Sequence, residues 1–132
     1  MPLQIRGGNG AAGSILEQSL TPAFLLNKYF WLYHLGDNIY RIISLPAGLS
    51  LSPTGGSLTD GTTIEQNWDL DVPYQKWKLE LLSAGTYAIK NLSTGKYLEV
   101  KGASMASGAD IIQSSKTGQD QQRWILESIV HL

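Results

Sequence analysis

Three tryptophans, Trp31, Trp77 and Trp124, recur along the chain at separations of 46 and 47 residues. Three glutamines, Gln18, Gln66 and Gln113, recur at separations of 48 and 47. A glycine stands five residues before each glutamine (Gly13, Gly61, Gly108), and an aliphatic stands two before it (Leu16, Ile64, Ile111). Several residue types keeping one period of about 47 residues mark a threefold internal repeat. A unit of that size cannot bury its apolar face alone, so the three must pack on one another.

The pieces inside each unit read as short strands. Tyr87-Ala88-Ile89, Leu98-Glu99-Val100 and Trp77-Lys78-Leu79-Glu80-Leu81 alternate apolar with polar or small residues. That alternation sends one set of side chains inward and the other outward. Tyr40-Arg41-Ile42 matches Tyr87-Ala88-Ile89, and Leu3-Gln4-Ile5 matches Leu98-Glu99-Val100. In the middle unit, Leu49-Ser50-Leu51 is taken as the counterpart of that last strand, set two residues further out. The breaks are turn material, such as Pro53-Thr54-Gly55-Gly56 and Ser93-Thr94-Gly95-Lys96. Segment 20–33 is apolar enough to suggest a helix, but Pro22 and its register in the repeat predict a loop followed by a strand. The expectation is an all-β domain of repeats 1–39, 40–85 and 86–132, with Trp31, Trp77 and Trp124 in equivalent buried positions. Four strands per unit would make twelve. Eleven are legible, because the first unit opens on its second strand. The leading expectation for the gap is that the first strand lies outside this sequence; the others are that Ile129–Leu132 bends into it, that a second copy fills it in a homodimer, or that a partner peptide does.

Composition narrows the function. With 42% apolar residues in a chain of 132, a core forms without staples, and the absence of cysteine removes disulfides and thiolate metal sites. Ten basic residues against eleven acidic leave a net charge of -1, which gives no long-range attraction to nucleic acid or anionic membrane. No apolar run is long enough to cross a bilayer. The N-terminus lacks the apolar core of a secretory signal, so a cytoplasmic or non-classically released protein is expected. His34 and His131 have no third ligand at zinc spacing. Asp60, Asp69 and Asp71 match no calcium loop and read as a solvated turn. Gly8-Asn9-Gly10-Ala11-Ala12-Gly13 has dinucleotide-loop spacing, but the repeat places a strand after it where that chemistry needs a helix. No nucleophile motif is present, so no enzyme and no cofactor is expected.

Gln75-Lys76-Trp77 and Gln122-Arg123-Trp124 are Q-x-W tripeptides in register with the repeat. With Gly95-Lys96-Tyr97-Leu98-Glu99-Val100 and Asp120-Gln121-Gln122-Arg123-Trp124, they make the chain resemble the ricin B-type lectins. The first unit departs from the pattern, with Tyr29-Phe30-Trp31 where Q-x-W belongs.

The resemblance implies a β-trefoil that binds sugars, galactose-type among them, at up to one shallow site per unit. In such a site a strand carboxylate accepts from two sugar hydroxyls and an aromatic face takes the C–H side of the ring. An amide pair before the tryptophan both donates and accepts. Carried over, the third-unit site is Glu99 as the acid, Ser114 and Ser115 where the aromatic belongs, and Gln121 with Gln122 as the amides. The second-unit site has Trp68 as platform and Tyr74 with Gln75 in the amide places. Its acid position is read as Ser50, with Glu65 as a substitute carboxylate. The first unit, with Gln4, Ser19 and Lys28-Tyr29 at these places, is expected to hold no site. The expected function is therefore a carbohydrate-binding module. A protein-binding trefoil such as a protease inhibitor, or an assembly module without sugar binding, is the alternative.

Overall fold

The computed structural model describes residues 3–5, 11–18, 30–45, 47–83, 85–105 and 107–126. Among these lie eleven strands: β1 (Leu3–Ile5), β2 (Leu16–Gln18), β3 (Phe30–Gly36), β4 (Ile39–Ser44), β5 (Ser50–Pro53), β6 (Ile64–Asn67), β7 (Trp77–Ser83), β8 (Thr86–Asn91), β9 (Tyr97–Val100), β10 (Ile111–Ser114) and β11 (Trp124–Ile125). Single 3-10 turns at Thr54–Gly56, Pro73–Gln75, Lys101–Ala103 and Asp120–Gln122 are the only helical pieces among the described residues. The expected helix-free strand pattern holds in the described part of segment 20–33. Residues 20–29 and the C-terminal Ile129–Leu132 lie outside the described residues.

All pairing is antiparallel. β1–β2, β5–β6 and β9–β10 are hairpins, β3–β4 and β7–β8 are longer hairpins, and β4 and β8 each also pair with the strand that closes their own unit, β7 and β11. The β3–β4 turn carries Asp37 and Asn38 with φ of 50° and 62°. Two left-handed central residues give a type I′ turn, whose twist matches that of the strands it joins.

The three units are locked in a ring by the glutamines and glycines that set the period. Gly13 N–H donates to Gln66 O, Gly61 N–H to Gln113 O, and Gly108 N–H to Gln18 O, at 2.7–2.8 Å. Those glycines have φ of 89°, 88° and 86°, which explains the residue type. The return bonds run from Gln66 N–H to Ser14 O, Gln113 N–H to Thr62 O and Gln18 N–H to Ala109 O. The buried side-chain amides complete the ring. Gln18 Nε2 donates to Ser104 O, Gln66 Nε2 to Ala11 O, and Gln113 Nε2 to Ser57 O. Each unit thus bonds to the next and the last returns to the first, the cyclic symmetry of a β-trefoil.

The core repeats the same way. Leu16, Ile64 and Ile111 are fully buried, as are Leu51 and Leu98, and Ile42 and Ile89 are nearly so. Removing each such side chain from water contributes about 1.5–3 kcal/mol before conformational entropy is charged against it.

One expectation fails here. Trp77 is fully buried and Trp124 half-buried, but Trp31 is 66% exposed. Trp77 pairs with Asn91 of β8 and Phe30 pairs with Ser44 of β4, so Phe30 is the counterpart of Trp77. Phe30 packs against the core. Trp31 is one residue further along, and a one-residue step along a strand sends the side chain to the other face. The first tryptophan spacing, 46 rather than 47, was the sign of this slip.

Candidate functional site

Both Q-x-W glutamines hold a loop. In the second unit Gln75, 1% exposed, donates from Nε2 to Trp68 O at 2.6 Å and accepts Leu70 N–H at Oε1 at 2.7 Å. In the third, Gln122, 2% exposed, donates from Nε2 to Ser115 O and accepts Thr117 N–H at Oε1. The 3-10 turns place both amides inward. The indoles behind them do the same work: Trp77 Nε1 donates to Leu51 O at 3.0 Å, and Trp124 Nε1 to Leu98 O at 3.1 Å.

Those indole bonds make Leu51 the counterpart of Leu98. The second-unit residue equivalent to Glu99 is therefore Ser52, not Ser50. The register agrees, since Leu51 pairs with Gln66 as Leu98 pairs with Gln113. The two-residue error was invisible to alternation, because a shift of two keeps every side chain on its face. Ser52 is buried and supplies no carboxylate.

In the second unit Trp68 is 67% exposed while its backbone is fixed at both ends: N–H to Asn67 Oδ1 at 2.8 Å, O from Gln75. A rigid loop thus presents an open aromatic face. Tyr74 is half-buried over Gly56, where an added Cβ would stand 2.9 Å from its ring. Glu65 does not join them. It is 6% exposed, pairs across the unit boundary with Ile15, and its Oε2 lies 3.7 Å from where a Gly13 Cβ would be. The strand alternation turns it to the junction with the first unit, so it cannot replace the missing acid.

Beside Trp68 lies an ion network that sequence reading passed over as a solvated turn. Arg41 of β4 meets Asp69 through Nε at 3.1 Å and Asp71 through Nη2 at 2.6 Å, and Lys76 reaches Asp71 at 3.3 Å. The hydrogen bonds from Arg41 and then Lys76 hold the Asp71 carboxyl below the usual carboxylate range. Arg41 also sits 5.9 Å from the Tyr33 ring centroid.

In the third unit Glu99 and Gln122 do come together. Gln122 Nε2 donates to Glu99 Oε1 at 2.8 Å, and both are buried. Gln121 is half-buried and donates to Gln119 Oε1. Ser114 is half-buried opposite Tyr97 on β9. Ser115, the counterpart of Trp68, donates to Asp60 of the second unit at 3.0–3.1 Å, and Lys96 reaches the same carboxylate at 2.7 Å. Lys96 and then Ser115 depress the Asp60 pKa. Tyr97 donates to Glu80 Oε1, and burial, followed by that contact, pushes its pKa up to about 12. None of Asp60, Lys96, Tyr97 or Arg41 carries a signal in the repeat that singles it out in advance. No set of three potential metal-ligating side chains converges among the described residues.

The family model for ricin-type β-trefoil lectin domain-like sequences matches residues 73–131. No curated protein sequence matches significantly. A designed threefold-symmetric protein is similar at 29% identity with a TM-score of 0.92, over 96% of this chain and 90% of that one. An exo-β-1,3-galactanase from Clostridium thermocellum is similar at 25% identity with a TM-score of 0.91, over 96% of this chain but 27% of that one. The C-half of an earthworm R-type lectin, solved in complex with GalNAc, matches at 22% identity with a TM-score of 0.66, over 93% and 87%.

Proposed function

We propose that this chain, a ricin-type β-trefoil lectin-like protein by fold and by its Q-x-W repeats, is a carbohydrate-binding module rather than a catalyst, with sugar sites in its second and third units. The observation that carries this reading is Trp68. Its indole is 67% exposed on a loop whose backbone is clamped by Asn67 and Gln75. A fixed loop holds the exposed indole in place, so a sugar ring can stack its apolar C–H face there without the cost of ordering the loop.

The second-unit site is the aromatic one, built on Trp68 with Tyr74 and Gln75 behind it. Polar contacts there come from Asn67 and the Asp69–Asp71 loop, since Ser52 and Glu65 supply no exposed acid. The third-unit site is the polar one. Gln122 orients the Glu99 carboxylate, and Ser114 and Gln121 stand at its rim without an aromatic. Galactose-class sugars are the proposed ligands.

A glycan array on the purified chain tests this. Galactose-terminated glycans should bind, and Trp68→Ala should weaken binding by about 1–3 kcal/mol, the worth of burying a large side chain. Glu99→Ala should affect a separate, weaker class of site. Unchanged glycan binding in the Trp68→Ala and Glu99→Ala variants would sink the site assignment. A silent array would favour the protein-binding alternative.

A further inference from the structure

The outer face of the sheet differs between equivalent places in the second and third units. Directly paired residues of antiparallel strands share a face. Trp31 pairs with Ile43, Ile43 with Ser50, and Ser50 with Asn67. These four residues therefore form one row across β3, β4, β5 and β6, ending at the residue before Trp68. The equivalent row in the third unit is Lys78, Lys90, Tyr97 and Ser114. There Tyr97 fills the face. Its hydroxyl bonds Glu80, and Lys90 and Lys116 lie 5.9 Å from its ring centroid.

In the second unit a fully buried serine replaces that tyrosine, and exposed aromatic groups flank the place. Ser50 stands where Tyr97 does. Trp31 and Tyr33, 66% and 59% exposed, stand where Lys78 and Glu80 do. Tyr33 is paired with Arg41, which carries the ion network to Asp69 and Asp71. The buried side-chain polar atoms left without a hydrogen bond among the described residues are Ser50 Oγ and Arg41 Nε, the latter facing Asp69 only as an ion pair. Both lie in this region. Buried polar atoms without partners are rare and ask for a reason.

We propose that the Trp68 site continues through the Arg41–Asp69–Asp71 network onto the β3–β4 hairpin and takes an oligosaccharide rather than a single sugar, with Trp31 and Tyr33 as additional stacking platforms and Arg41, Asp69 and Asp71 as the hydroxyl-binding groups between them. This rests on the carbohydrate-binding reading and extends it. The chemistry alternates as a glycan chain does. Aromatic faces take the C–H sides of successive rings, an arginine donates to hydroxyls, and the carboxylates flanking it accept from them. Three interstrand steps make the row about 14 Å long, which exceeds one pyranose ring. Trp31 and Tyr33, two residues apart on one face, are spaced by about 6.8 Å. The departure from the repeat is directional: charged residues that keep the second unit's own outer strand solvated are replaced by aromatic rings on the one hairpin that adjoins Trp68.

The test uses calorimetry with galactose and with β-1,3-linked galactotetraose as probes. The double variant Trp31→Lys, Tyr33→Glu puts the residues of the equivalent second-unit strand on the hairpin, so folding is preserved by the chain's own solution. The wild type should bind the tetraose at least tenfold tighter than galactose. The double variant should lose that advantage while keeping its affinity for galactose, and Trp68→Ala should weaken both. A double variant that binds the tetraose as the wild type does overturns the extended site and leaves the Trp68 site standing. A wild type that binds neither probe overturns the galactose-class reading and this extension together. A double variant that changes oligomeric state without changing tetraose affinity assigns the face to self-association and also overturns the proposal.

Discussion

Gln122 Nε2 donates to Glu99 Oε1 across 2.8 Å, and the same amide nitrogen donates to Ser115 O at an equal distance. One buried amide therefore fixes both the carboxylate and the loop beside it. Glu99→Ala leaves Gln122 with Ser115 and Thr117 as partners, whereas Gln122→Ala leaves a buried carboxylate and two loop groups unpaired. Unpaired buried groups carry the full cost of desolvation, more for a charged one. Gln122→Ala should destabilise by about 2–4 kcal/mol, and Glu99→Ala by less. Urea denaturation of both variants checks the order.

The glutamine ring is a second place where a polar side chain outweighs its size. Gln113 is fully buried, with Nε2 bonded to Ser57 O and Thr59 O and Oε1 receiving Thr94 Oγ1. Gln113→Ala should cost about 2–3 kcal/mol through the orphaned groups, and Gln113→Leu should recover little, because the loop carbonyls stay unpaired. Thermal unfolding that is unchanged in either variant would show that the ring is not what joins the units.

Trp31 and Trp77 separate cleanly by burial. Trp77→Ala should destabilise by about 3–5 kcal/mol, the usual loss for a large aromatic in a core. Trp31→Ala should stay within about 0.5 kcal/mol of wild type. Equal losses in the two would contradict the register that makes Phe30, not Trp31, the core residue of the first unit.

Acid and alkaline limbs have separate sources. Asp60 and Asp71 have pKa values held below the unfolded value by Lys96 and Arg41. Their stabilisation is present above the ordinary carboxylate range and is lost as pH falls through their folded values. Asp60→Asn and Asp71→Asn should flatten the acid limb of stability. Tyr97 has its pKa raised from the usual 10 to about 12, so its contribution is complete below pH 10 and is lost as pH rises from 10 to 12. Glu80→Gln should move the phenolate absorbance transition of Tyr97 to lower pH, with burial still holding it above the usual 10.

The threefold repeat, the strand pattern and the absence of a first-unit Q-x-W were legible because each leaves a residue type at a fixed spacing. Glycine at a left-handed position, glutamine bonding two loops and leucine facing a core are chemical needs that recur wherever the backbone recurs. The register inside a repeat was less secure. Alternation distinguishes faces but not steps of two, so Ser50 stood for Ser52. Tryptophan identity outweighed a spacing short by one, so Trp31 stood for Phe30. What only the tertiary structure decided is which side chains meet across units: Glu65 turned to the Gly13 junction, Ser115 tied to Asp60, Arg41 reaching Asp69 and Asp71. Those contacts join residues tens of positions apart in the chain. They depend on where two loops end in space, and no local periodicity encodes that.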